Sequence, residues 1–178
     1  MAPKTNKHVK AYSLGDDRTI ALVRAKDGSE LIELSDTTRN KTIQLPTQRW
    51  SVLIWCIDAI EQSLRQLFER KEVDFQHHIG GGWYVTVKSG IYCIDIRRFF
   101  VPIGQREIKP TRDGFALRIR EWRTFKSLVR QINVDHPHLK QVVPCRDNID
   151  HQNQQGAFQC KECYPFPDSD EEFDLMAA

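Results

Sequence analysis

Apolar and polar residues alternate from Trp83 to Lys88 and again from Tyr92 to Arg97. That two-residue period marks strands with one buried face, and Ser89-Gly90 between them reads as the turn. On the first strand Trp83, Val85 and Val87 share a side, while Tyr84, Thr86 and Lys88 take the other. On the second, Ile94 and Ile96 oppose Cys93, Asp95 and Arg97. One face is therefore apolar and the other polar, basic and aromatic. Past Leu117 the spacing changes to Trp122, Phe125, Leu128, Val129 and Ile132, which is helical. A second helix is predicted from about Thr47 to Arg70, with a stripe of Trp50, Leu53, Ile54, Ile57, Ile60, Leu64, Leu67 and Phe68. Val52, Trp55, Cys56 and Ala59 make much of its opposite side apolar too. A helix greasy all round needs cover on more than one side.

The pattern occurs twice. Val23 to Leu34, with its Asp27-Gly28 turn, matches Val87 to Ile96, and Lys41 to Trp50 matches Asp113 to Trp122. A spacing of about 65–70 residues is too long for a solenoid repeat. It predicts two tandem modules, 8–75 and 76–140, each of strands followed by one helix, and a separate segment 141–178. The cover that the first helix needs is expected from the helix of the other module, an intrachain pseudo-dimer. The expected class is α+β.

Charge adds an asymmetry that the overall net of +2 conceals. Residues 76–140 hold 12 basic and 5 acidic residues, whereas 141–178 hold 2 and 8. A basic block beside an acidic tail suits a polyanion partner, or a solvated basic face. The longest unbroken apolar run, Val52 to Ile57, is far below the roughly 20 residues of a membrane helix, and no membrane partner is expected. Five cysteines, two spaced as Cys160-x-x-Cys163, fit reduced thiols or a metal site inside a cell better than a disulfide framework.

The motifs Tyr84-Val85-Thr86-Val87, Ile94-Asp95-Ile96-Arg97, Lys109-Pro110-Thr111-Arg112-Asp113-Gly114 and Glu121-Trp122, in that order, resemble the positive-cofactor-four family of transcriptional coactivators. The resemblance covers residues 77–135 well and residues 10–70 more weakly. It implies a strongly curved four-stranded antiparallel sheet followed by one helix, used as a dimer. It also implies single-stranded DNA or melted duplex as partner, with RNA as an alternative, little sequence preference, and a role in nuclear transcription. Cations that follow phosphates and rings that stack bases are the chemistry of such a surface. By the resemblance the contacts fall on Lys88, Arg97, Phe100, Lys109 and Arg112, with Tyr84 and Thr86 lining the channel. Phe100 stands where the family has Trp. Ion pairing of Arg97 with Asp95, or of Arg112 with Asp113, and a core position for Phe99 are the alternatives. In the first module Ser35 replaces Arg97, and only Arg24, Lys26, Arg39 and Lys41 remain as candidate phosphate contacts. One strong and one weak half-channel are expected.

Cys145, His151, Cys160 and Cys163 offer four soft ligands within 19 residues, a set suited to tetrahedral zinc, with His136 or His138 as substitutes for His151. The segment has too few apolar residues for its own core, so a metal would staple it. Cys56 and Cys93 read as packing residues. The zinc-deaminase signature fails, because Arg146 to Asn148 follow Pro144-Cys145 and no His-x-Glu precedes it. Gly80-Gly81-Gly82 precedes a strand, which disfavours a phosphate loop. No catalytic constellation is visible, so a non-enzyme is expected; an interaction adaptor or an accessory subunit of a DNA-processing enzyme are the other readings. The acidic end, Asp168 to Leu175, is a candidate contact for transcription-machinery partners, and Ser169 a candidate phosphorylation site.

Overall fold

The computed structural model describes residues 10–151 and 154–166; the acidic end and Ser169 lie outside them. Four strands, β1 (Lys10–Gly15), β2 (Arg18–Arg24), β3 (Glu30–Asp36) and β4 (Lys41–Pro46), form one antiparallel sheet in chain order. Helices α1 (Thr47–Trp55) and α2 (Ile57–Phe68) follow. A second antiparallel sheet, again in chain order, contains β5 (Asp74–Gly80), β6 (Trp83–Lys88), β7 (Ile91–Phe100) and β8 (Lys109–Arg118). Helix α3 (Ile119–Asp135) follows it. Three short 3-10 turns and a six-residue helix, α4 (Gln154–Gln159), complete the described chain. The architecture is α+β, two four-stranded sheets each followed by helix. No helix among the described residues is long and apolar enough to cross a membrane.

The alternation read from the sequence is the alternation in space. Val85, Val87, Ile94, Ile96, Phe115 and Leu117 are buried on one side of the second sheet. Ile20, Leu22, Ile32, Leu34, Ile43 and Leu45 do the same in the first. Both sets belong to a single core cluster with Trp50, Leu53, Trp122, Phe125 and Val129 from the helices. At its centre Phe125 meets Trp50 edge-on at 5.5 Å and stacks on Trp122 at 5.1 Å. The contacts cross between the repeats: β1 packs on α3, β5 on α1, and β4 touches β8.

The predicted first helix is corrected. It breaks at Cys56 rather than running unbroken to Arg70. The Cys56 amide is shared between the carbonyls of Val52 and Leu53, a tightened turn that interrupts the regular helix at one residue before the ladder resumes with the Ile60 amide on the Cys56 carbonyl. Each half then buries its own side, Trp50, Val52 and Leu53 in α1 and Ile60, Leu64 and Leu67 in α2. Trp55, predicted to be covered, is 66% exposed, with the Arg146 guanidinium over its ring at 4.7 Å and the His77 ring tilted against it at 5.8 Å. The second module's first strand also begins two residues before the boundary drawn at 76.

Candidate nucleic-acid interface and metal centre

Side chains on the outer face of the second sheet come from alternate positions of its strands. Across the strands, His78, Tyr84, Arg97 and Gly114 form one register row, and Gln76, Thr86, Asp95 and Ala116 the next. Tyr84 is wedged between His78 (4.9 Å) and Phe99 (5.0 Å), and burial raises its hydroxyl pKa. Phe99 is buried, as the alternative reading had it, but against Tyr84 on this face and outside the main core. Thr86, expected to line a channel, is only 7% exposed, because its neighbours on β5 and β7 close over it; little of it is accessible to a ligand.

Arg97 is not a free cation. Its guanidinium donates to both carboxylate oxygens of Asp95 (2.7 and 3.1 Å) and to the Thr111 carbonyl (2.9 Å). Gly114 makes the room for it, since a Cβ there would stand 2.8 Å from the Arg97 Cζ. Bonding to Asp95 raises the guanidinium pKa further. Lys88 is half-exposed and paired with Asp74 at 3.0 Å.

The unpaired cations lie at the other end of β7 and β8. Phe100, 44% exposed, sits directly across from exposed Lys109. Alternation puts Phe100 on the side of Arg98, opposite Arg97 and Phe99. Three residues later, in the irregular stretch of β8 where the register shifts, Arg112 is exposed, and its carbonyl accepts a 3.4 Å bond from Lys41 of the first module. Lys109 and Arg112 side chains have no ion-pair partner among the described residues.

The first sheet is different. Its outer face carries Glu33, Ser35, Thr42 and Gln44 bonded to one another and no cation. Arg24 is 63% exposed and only 3.4 Å from Glu30; Lys26 is exposed in the following turn. Arg39 lies away from that face, in a hollow shared with Arg118 and Arg120 at the start of α3.

In the C-terminal segment, Cys145, His151, Cys160 and Cys163 converge, their donor atoms all within 4.8 Å of one another, and could hold a metal ion. The Cys145 and Cys160 sulfurs are 3.7 Å apart, and His151 Nδ1 is 3.6 Å from Cys145 Sγ and 3.3 Å from Cys163 Sγ. Burial and the adjacent thiols push Cys145 up to about 12 and burial raises Cys163, whereas at Cys160 burial is outweighed by the backbone hydrogen bonds of Cys163 and Glu162, which lower it. The substitutes are otherwise engaged or remote: His138 bonds Glu30 at 2.7 Å, and neither it nor His136 belongs to the cluster.

Two mostly buried arginines and their acid partners escaped sequence reasoning. Arg18, after the β1–β2 turn, binds Asp36 and, across the modules, Glu121 at the start of α3. Arg49 of α1 forks onto Glu162 between the two CxxC cysteines at 2.5 and 2.6 Å, while the Glu162 carbonyl accepts from the Gly81 amide at 2.8 Å. Glu121 and Glu162 lie more than 100 residues from their arginines, and no local pattern announces them. Arg49 and Arg18 open α1 and β2, where the sequence offered only an arginine near a turn. No family model, curated protein or solved structure matches the chain.

Proposed function

We propose that the protein binds single-stranded or melted nucleic acid without strong sequence preference. It does so on the exposed end of the second sheet, as a non-enzymatic, positive-cofactor-four-like regulator of transcription in the nucleus. The observation that carries this reading is the cluster of Phe100, Lys109 and Arg112, exposed and without ion-pair partners among the described residues, joined by Lys41 of the first module. A ring flanked by cations is what a strand of unpaired bases requires. Arg97 and Tyr84 lie on the other side of the sheet from Phe100, and a strand that wraps the end of the sheet reaches Arg97 only if that side chain leaves Asp95. The cation-free outer face of the first sheet supports a single working half-site. The crossed contacts of β1 with α3 and β5 with α1 support a pseudo-twofold arrangement of the two modules.

Zinc is the metal we assign to the C-terminal cluster. A tetrahedral ion with Zn–S bonds of about 2.3 Å sets sulfur–sulfur edges near 3.7 Å, and three thiolates with one imidazole are a common structural set. It would hold a segment that has almost no core and keep Glu162 on Arg49.

A labelled 20-mer titrated at two salt concentrations tests the first part. Binding should weaken with salt on a log–log slope of about −2 to −3, as expected for three or four phosphate contacts on a single strand. No binding at low salt overturns it in favour of a protein-interaction adaptor. Metal analysis tests the second part: about one equivalent of zinc per chain is expected, and another metal or none refutes the assignment.

A further inference from the structure

The outer side of α3 carries charge that neither the fold nor the sheet surface uses. Arg120, Arg123, Thr124, Ser127, Arg130 and Gln131 are all exposed, and at 100° per residue they occupy one side of the helix over about 15 Å. The helix has two acids, and neither answers these arginines. Glu121 is buried against Arg18, and Asp135 is held by Lys10 at 2.6 Å and Tyr12 at 2.7 Å. Glu61 of α2, which lines a groove with Arg123, is taken by Trp122 and Lys126. None of the three arginines has an ion-pair partner among the described residues. In the first module, α2 presents Asp58, Gln62 and Arg65 outward, a mixed set. Two helices that follow equivalent sheets thus differ in charge, so the uniform sign on α3 is no requirement of the fold. Neighbouring like charges three residues apart slightly destabilise a helix.

The chemistry of this side identifies its ligand. It offers guanidinium donors and no aromatic ring, the Thr124 and Ser127 hydroxyls and the Gln131 amide donating to the Arg120 carbonyl, the Arg123 carbonyl and Asp135, so it can bind phosphates but cannot stack bases. A nucleic acid that shows phosphates outward with its bases already stacked inside is a duplex. We propose that the outer side of α3 is a second nucleic-acid surface, which grips the backbone of duplex adjoining the single strand. The inference rests on the single-strand reading for the sheet, and together the two make a single-strand–duplex junction the preferred ligand. Arg118 and Arg120 line a hollow of about 390 Å³ with Arg39, two residues from Lys41, so the hollow links the start of α3 to the first-module turn that adjoins Arg112. The hollow also holds four acids: Asp36 and Glu121 are paired with Arg18, while Asp16 and Asp17 face the arginines without a cation of their own among the described residues, Asp17 accepting from Thr38.

The experiment compares the full chain with R120S/R123S/R130S and with F100A/K109S on three probes: a single-stranded 20-mer, a blunt 20-bp duplex and that duplex with a 20-nucleotide tail. The parent should bind the tailed duplex more tightly than the 20-mer. The triple serine variant should keep the parent's affinity for the 20-mer and lose tenfold or more on the tailed duplex. Its salt slope there should flatten by about 2–3, near 0.9 per lost phosphate contact. R120K/R123K/R130K should retain most of the binding, and unchanged melting temperatures certify that the exposed substitutions leave the fold intact. Equal binding of parent and triple serine variant to the tailed duplex overturns the proposal. If the 20-mer is not bound at all while the serine variant still loses blunt-duplex affinity, the helix surface stands and the sheet reading falls.

Discussion

Arg97 shows how much a single side chain's surroundings decide. Sequence places an arginine on the polar side of a strand, two residues after an aspartate; the structure closes that spacing into a two-pronged bond over Gly114. Charge-assisted pairs of this kind hold a guanidinium in one orientation. Removing the acid should therefore release it. For Asp95→Asn we expect affinity for a single-stranded 20-mer to rise about five- to thirtyfold, since a new bond to phosphate and the removal of one repulsion are each worth roughly 0.5–1 kcal/mol. Unchanged affinity in a titration would exclude Arg97 from the binding surface. His78 gives a second residue-level expectation. Burial holds its imidazole below the ordinary value, and of its charged neighbours Glu162 opposes that effect while His77 and Arg49 add to it. Below about pH 6.5 the unfolded chain then takes up a proton that the folded chain resists. This contribution to stability is full above that pH and declines as the pH falls. Melting curves of parent and His78→Gln between pH 7.5 and 5.5 should shift against the parent; parallel curves would reject the assignment.

The elements show a different kind of dependence. Helix α1 ends at Trp55 because the Cys56 amide serves two carbonyls, and the C-terminal knuckle is anchored to the start of that same helix through Arg49 and Glu162. Both side chains are mostly buried, at 18% and 24% exposure, so removal of one leaves the other's charge poorly solvated. Glu162→Ala should cost about 1–3 kcal/mol, read as a fall of several degrees in Tm. Alanine at Gly81 should act on the same contact. Its Cβ would run into the Arg49 guanidinium, and its φ of +56° disfavours any side chain. If a chelator strips the cluster, limited proteolysis should open the chain between about 145 and 166 and spare both sheets. Simultaneous loss of the sheets would mean that the metal holds far more than its own segment.

At the scale of the whole molecule, the two sheets and three long helical segments share one core, so the repeats are not expected to unfold separately. Trp122→Ala, in the centre of that core, should lower stability by about 3–5 kcal/mol in one cooperative urea transition reported equally by signals from either module. Two separated transitions would show independent halves. Much of this plan was legible beforehand. Period-two alternation in the strands, the turn at Ser89-Gly90, the helical spacing after Leu117 and the grouping of Cys145, His151, Cys160 and Cys163 are local patterns, governed by backbone geometry and ligand chemistry within a few residues. The sequence alone therefore determined β6, most of β7 and the course of the helical segments, the buried side of those two strands and of α3, and the makings of a metal site. Tertiary structure decided which cations remain free. Arg97, Arg49 and Arg18 are consumed by acids that folding brings to them, the last two from more than 100 residues away. Lys109, Arg112 and the arginines of α3 meet no such partner among the described residues. A charge's availability depends on what stands within a few ångströms of it, and that distance is set by packing rather than by position in the chain.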